Sequence, residues 1–229
     1  MRARTDPTFS EFLLRVGNCD EPTIRENLVL LPEQLTIKHS QDGIQEESII
    51  KEIFQNLQEN AATTKSVTKR AILASRNDHV NKINDKLISQ FPGGSKIFNS
   101  FDSEEDDTNY YQEEYLNTLT TNGLPLHRLE LKENVPIMLL RNLDPSSGLC
   151  NGTRMICRGF SQNVLHTEIS SGHSATKYVF LPRIQLSQPQ NEGYPFKFIG
   201  KQLSVRLCFA MTINKAQGQT IHNVGLYLP

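Results

Sequence analysis

Between the apolar run Leu207–Met211 and the closing stretch "VGLYLP" the sequence reads Thr212-Ile213-Asn214-Lys215-Ala216-Gln217-Gly218-Gln219-Thr220. Thr212 and Thr220 offer hydroxyls, Lys215 a cation, and Asn214, Gln217 and Gln219 amides that donate or accept. Gly218 lets a backbone come close to a phosphate. This set suits phosphate oxygens, from a nucleotide or a nucleic-acid backbone, and suits general acid–base work poorly. In open α/β sheets, ligand contacts gather in loops that leave the C-terminal end of a buried strand. An ordinary polar turn draws on the same residue types, so composition leaves both readings open.

Other chemistry finds less support. Cys19, Cys150, Cys157 and Cys208 are widely spread, and the six histidines are scattered, so no zinc spacing is present. Residues 102–114, DSEEDDTNYYQEE, hold seven acids and no base. They lack the alternation and central glycine of a calcium loop, and the expectation is a solvated loop. A nucleotide-binding P-loop needs G-x-x-x-x-G-K-[ST]. The Gly200-Lys201 pair is followed by Gln202, and Pro195 stands at the place of the first glycine. No apolar strand ends in Asp-Glu to hold magnesium: Asp20-Glu21 follows "VGNC".

The elements that must position the 212–220 loop follow from periodicity. Phe9, Phe12, Leu13 and Val16 fall at helical spacing before Gly17, and Ile49, Ile50, Ile53, Phe54 and Leu57 make an apolar helical face. "AILAS" (71–75) reads as a short buried strand, and "RNDHVNKINDKLISQF" follows as a helix. Asn77 suits its N-cap and Asp78 its first turn. Strand, tight turn and helix make a βα unit of an α/β domain. "VPIMLLRNLDPSSGLCNGTRMICRGF" reads as strand, turn, strand, with Asp144-Pro145 and Asn151-Gly152 as turn chemistry. Short strands then recur ("RMICRGF", "NVLHTEI", "KYVFLPRI", "FKFIG"), which predicts a small antiparallel β-barrel over 151–206 inserted into the α/β domain. Leu207–Met211 is its return strand. Tyr178 and Phe196 have rings able to stack on bases, with core packing the simpler reading.

The formal net charge is −1, but residues 1–114 carry 13 basic and 20 acidic side chains and residues 115–229 carry 11 and 5. The halves stand at −7 and +6. A basic half permits a phosphate-backbone partner without requiring one. No run approaches the roughly 18 apolar residues of a membrane span, and no apolar core follows the basic residues of the N-terminus, so neither a membrane segment nor a secretory signal is expected.

The order of the residues adds a resemblance. "AMTINKAQGQT" looks like motif V of superfamily 1B DNA helicases of the petite integration frequency family and their relatives in Helitron transposons. "VPIMLLRNLDPSSGLCNGTR" resembles that family's strand–turn segment before its inserted 2B domain. "AILASRNDHVNKIN" resembles the strand–helix unit opening the second RecA-like domain, and "MRARTDPTFSEFLLRVGNC" the tail of the first.

The resemblance implies an α/β, RecA-like domain of the P-loop NTPase type, without its P-loop half and with a small inserted β-barrel. Residues 1–42 would be the tail of the first RecA-like domain and a linker. Residues 43–150 and 207–229 would form the second, interrupted by the 2B-like insert at 151–206. Thr212, Asn214 and Lys215 would lie on single-stranded DNA, with Asn214 standing where many members carry His. Gln217, Gly218 and Gln219 would face the nucleotide cleft, and Arg2 would match an arginine reaching toward the nucleotide. ATP and Mg2+ would serve the full-length enzyme, a 5′-to-3′ helicase of replication, repair, recombination or telomere maintenance. Its N-terminal motor domain would be the missing partner, and its compartment the nucleus or the mitochondrion. The family continues past "VGLYLP" to an arginine motif. The 229 residues alone are therefore expected to bind no ATP or Mg2+ and to be inactive. A non-enzymatic single-stranded DNA-binding module, or a decayed transposon-derived fragment, is the alternative expectation.

Overall fold

The computed structural model describes residues 6–24, 28–37, 45–60, 67–104, 111–119, 124–187, 196 and 198–228. Arg2 lies outside them. The chain divides into two units, Met1–Asp42 and Gly43–Pro229. In the first, α1 (Pro7–Gly17) starts where the Asp6 carboxylate accepts the Phe9 amide at 2.9 Å, with Pro7 in the first turn. Its apolar spacing does not make a buried stripe. Phe12 is buried while Leu13, Leu14 and Val16 are exposed.

The second unit opens with α2 (Gln45–Ile53) and α3 (Leu57–Asn60). The helix expected over 47–57 is thus broken, and Asn56 sits at φ +50° in the gap. Ile49, Ile50, Phe54 and Leu57 are nevertheless all buried. β1 (Arg70–Ala74) leads into α4 (Asn77–Gln90). Arg76, extended at φ −120° and ψ 147°, occupies the cap position expected for Asn77, which is the first helical residue. After β2 (Ser95–Asn99), β3 (Phe101–Glu104), α5 (Glu113–Thr118), β4 (Arg128–Lys132) and β5 (Pro136–Leu139) come β6 (Arg154–Phe160), β7 (Val164–Ile169), β8 (Tyr178–Ser187) and β9 (Phe198–Leu203). The chain ends through β10 (Val205–Leu207), β11 (Ala210–Thr212), the single turn α6 (Ile213–Ala216) and β12 (Asn223–Tyr227).

Two larger sheets organise most of these elements, and β2 pairs with β4 in a separate antiparallel pair. A parallel sheet has the order β11-β1-β12, and an antiparallel one the order β10-β5-β6-β7-β8-β9-β3. Helices α2 and α4 pack on the parallel sheet. The approach of α2 is close enough that a Cβ at Gly225 would stand 2.6 Å from Ile53 Cγ1. The antiparallel array is not confined to 151–206. Strands β6–β9 alone would leave two bare edges; β5 and β3 come from outside that span to pair there, and β10, at its end, pairs beyond β5.

The acidic stretch is likewise not one solvated loop. Its start is β3, paired with β9, where the Asp102 carboxylate meets His127 Nδ1 at 2.6 Å, and its end enters α5. Residues 105–110 lie outside the described residues. The four cysteines are free thiols. Burial pushes the Cys157 thiol up to about 12. Among the described residues no group of three or more His, Cys, Asp or Glu is placed to hold a metal, and no helix is long and apolar enough to cross a membrane.

The stretch Leu207–Met211, expected as one strand, changes sheets. The Cys208 amide donates to Pro136 O at 2.9 Å, and Phe209 O accepts the Ile72 amide at 2.9 Å. Phe209, fully buried, meets Phe54 and Phe91 with ring centroids 5.7 and 5.6 Å away. The outward backbone of Ala210, on the edge strand β11, is covered by a buried amide. Asn84 Oδ1 accepts the Ala210 N–H at 2.9 Å and Asn84 Nδ2 donates to Ala210 O at 3.1 Å. Asn84→Ala leaves both backbone groups buried and unpaired, and should lower stability by about 2–4 kcal/mol. Asn84→Asp would set a buried carboxylate against the Ala210 carbonyl oxygen and should cost at least as much. Urea unfolding measures both, and a wild-type midpoint for Asn84→Ala would show that water replaces the amide.

Candidate nucleic-acid interface

The 212–220 loop leaves the C-terminal end of β11, whose Thr212 pairs in register with Ala74 of β1. α6 makes one turn, and Gly218 then takes the left-handed conformation at φ +80° with open space about its Cα. That geometry turns the chain back toward β12. The Gln219 amide nitrogen donates to Lys215 O at 2.8 Å and to Gly152 O at 3.2 Å. Lys215 Nζ donates to Asn151 Oδ1 at 3.1 Å. The loop is therefore tied at two points to the turn between β5 and β6.

That turn is ordered by its own polar groups. The Asp144 carboxylate accepts the hydroxyls of Ser146 and Ser147 at 2.5 and 2.6 Å. Those bonds, with the Ser147 amide, hold its carboxyl below the usual carboxylate range. Asn142 Oδ1 accepts the Asn151 amide at 2.7 Å, and Thr153 Oγ1 donates to Gly148 O at 2.8 Å. Gly148 and Gly152 sit at φ +84° and +90°. A third wall is the connection between β7 and β8. A Cβ on Gly148 would stand 3.1 Å from Ser174 Oγ, so these two walls touch.

Together the walls enclose a cleft of about 650 Å3. Asn214, Lys215, Gln217, Gly218 and Gln219 line one side. Ser146, Gly148, Asn151 and Gly152 line the second, and residues 171–174 the third. Among the described residues the lining offers hydroxyls, amides, His173 and one ammonium, and no carboxylate. Such a set holds an oxyanion by hydrogen bonds and one charge-assisted contact.

The structure thus brings five of the seven expected site residues to one cleft. Asn214 and Lys215, expected on DNA, share it with Gln217–Gln219, expected on the nucleotide side. Thr212 stands at the strand end and does not line it, and Arg2 is outside the described residues. The second and third walls were not anticipated as site residues. Their one sequence signal is the density of Ser, Gly and Asn at 146–152 and 170–174. A second cavity of about 460 Å3 lies between α4, residues 124–130 and β10, where Arg206 donates to Asn81 Oδ1 at 3.2 Å.

The arrangement is a short parallel α/β sheet with a polar loop at its strand ends, walled by an antiparallel body. Residues 114–160 match the family model for the DNA helicase Pif1 2B domain, a span that takes in β4 and β5 ahead of residue 151. The ATP-dependent DNA helicase PIF1 of Rattus norvegicus is 29% identical over 188 residues, 77% of this chain and 26% of that protein. The chain spans about a quarter of the length of the curated relatives it matches. The Candida albicans Pif1 helicase structure matches with a TM-score of 0.52 at 18% identity, over 79% of this chain and 47% of that one. Bacteroides Pif1 in complex with ADP-AlF3 and ssDNA gives 0.50 at 18%, over 82% and 44%. The shared architecture is RecA-like α/β. The chain is thus similar to Pif1-type helicases, through the 2B-domain match at 114–160 and through curated relatives at 25–29% identity.

The loop depends on glycine at 218. Gly218→Ala meets no neighbour within 4 Å, so its cost is backbone strain alone, about 1 kcal/mol. Gly218→Asn, which tolerates the left-handed region, should recover part of that. Thermal melts of the two variants measure it. Equal midpoints for wild type and Gly218→Ala would show that the loop adopts another backbone.

Proposed function

We propose that the chain contributes a second motor domain and its 2B-type body to an ATP-dependent DNA helicase that moves 5′ to 3′ along one strand. The observation that carries this reading is the convergence of Asn214, Lys215 and Gln217–Gln219 with the 145–153 turn on one anion-binding cleft. Lys215 and the neighbouring amides and hydroxyls hold backbone phosphates of the strand, and Thr212 meets the strand at the end of β11. Gln219, bonded to both Lys215 O and Gly152 O, passes displacement between the loop and the antiparallel body. Two facts about relatives support these ligand classes. The curated ones are named ATP-dependent DNA helicases, and the Bacteroides structure holds ADP-AlF3 and ssDNA.

ATP, when bound, supplies the free energy for stepping. The residues present fit phosphate oxygens through Lys215, Gln217, the Gly218 backbone and Gln219, with Arg2 assigned to the nucleotide in the same reading. No carboxylate lines the cleft to hold Mg2+. The phosphate cradle and the magnesium ligands belong to the other motor domain, whose sequence pattern these 229 residues do not contain. Roles in replication, repair, recombination or telomere maintenance, in the nucleus or the mitochondrion, belong to this proposal. The second reading, a non-enzymatic single-stranded DNA-binding module, rests on the basic balance of residues 115–229.

Lys215→Ala should weaken single-stranded DNA binding about equally across sequences and reduce the salt slope by about one, as loss of one phosphate contact does. Anisotropy titrations over a range of salt measure this, and an unchanged slope would return Lys215 to a structural role. The 229-residue chain by itself should release no phosphate from ATP with or without DNA. Turnover stimulated by DNA would overturn the assignment of the phosphate cradle to another domain.

A further inference from the structure

Two large rings on β8 are not used by the core. Tyr178 is 69% exposed and Phe180 63%, while Val179 between them packs against the core and Leu181 after them is buried. Alternation along the strand puts Tyr178 and Phe180 on the same outer face. Phe196, the other ring considered for stacking, is buried against Leu116, Phe198 and Tyr111 and belongs to the core.

The surroundings of the two rings are polar and cationic. His166, opposite Phe180 on β7, meets its ring edge to face with centroids 4.6 Å apart, which fixes one side and leaves the rest open. Glu168, opposite Tyr178, is paired with Arg158 at 2.7 Å, so its charge is offset. Lys177, next to Tyr178, is exposed. The two rings also follow the third wall of the cleft directly along the chain. Residues 171–174 line the cleft, the Lys177 amide closes that loop on Ser174 O at 3.2 Å, and β8 starts with Tyr178 directly afterwards.

We propose that Tyr178 and Phe180 form a stacking platform for unpaired bases of a single DNA strand whose backbone occupies the cleft, an inference that rests on the reading of the cleft given above. Rings at alternate strand positions are about 6.8 Å apart, twice the 3.4 Å rise per nucleotide of a stacked strand. Bases seated there are separated from one another, so the platform takes an open strand and not a duplex. Aromatic stacking tolerates every base, which suits a protein that must travel along any sequence. A protein partner would also cover exposed rings. The adjoining anion cleft, Lys177 and the offset acid favour a nucleic acid.

The chain contains no tryptophan, so Tyr178→Trp introduces a single fluorophore at the platform. An oligothymidine of about 12 nucleotides, within the site sizes of single-strand binders, should quench its emission, and an abasic oligomer of the same length should not. In anisotropy titrations Tyr178→Ala and Phe180→Ala should each weaken oligothymidine binding on the order of 10-fold and leave abasic binding unchanged, with thermal midpoints like wild type. Absence of quenching together with wild-type affinity in both alanine variants would overturn the platform. If Lys215→Ala also leaves affinity unchanged while the aromatic variants lose it, the cleft reading fails and the platform stands. The reverse pattern keeps the cleft and removes the platform. Alanine variants that abolish self-association in sedimentation but bind DNA normally would assign the face to a second copy, and would also overturn it.

Discussion

The pair of hydrogen bonds between the Asn84 amide and the backbone of Ala210 fixes the place where the chain passes from one sheet to the other. Side-chain period in a strand is two, so a slip of one residue at Cys208–Phe209 would exchange inward and outward positions from there on. Ala210 would then leave the edge that α4 covers, and Thr212 and the loop after it would turn to the opposite side. Apolar packing alone does not forbid that slip, because Leu207–Met211 is hydrophobic at every position. A directional contact does. The register of the functional loop is therefore set from the helix after β1, by a polar side chain that shares no surface with the anion-binding cleft.

The antiparallel body shares its interior with the parallel sheet. One contiguous core runs from Phe54, Ile72, Ile83 and Phe209 to Leu139, Met155, Leu165 and Leu181. A guanidinium contact crosses the same boundary: the buried Arg154 donates to Arg70 O at 3.0 Å, and the half-buried Arg70 in turn donates to Ile53 O at 2.6 Å. Sliding one sheet against the other would expose apolar area and unpair these donors. The β11 loop and the 145–153 turn, bonded through Lys215 and Gln219, accordingly form one rigid corner of the cleft.

How much of this was legible in the sequence depended on which physical signal each part carries. β1, α4 and β6–β9 read directly because their periods and turn residues agree. The sheet switch did not, since a uniformly apolar run carries no period to break. The strand that opens the acidic stretch was hidden by composition: the Asp102 carboxylate, in β3, is met by His127 from elsewhere in the chain. The 212–220 loop was visible as an anion-binding set, yet the other two walls of its cleft were not. Ser146, Asn151 and Ser174 look like any turn residues until tertiary contact faces them toward Lys215. Exposure at Tyr178 and Phe180 was equally invisible, because an aromatic ring in an alternating strand points to the core or to water with the same spelling.

Charge limits what the cleft can do by itself. It holds one ammonium, and Lys215 already donates to Asn151. Counterion release from a single phosphate contact gives little affinity and a shallow salt dependence. The cleft is better suited to fixing the register of a backbone than to capturing it, since neutral amides and hydroxyls hold phosphate oxygens directionally. Capture must then draw on the +6 charge of residues 115–229, which acts at a distance, and on contacts that do not depend on charge. Under the helicase reading proposed above, a strand held mainly by long-range charge and sequence-tolerant contacts would advance with few bonds to break, whereas one gripped by many local ion pairs would have to break all of them at every step.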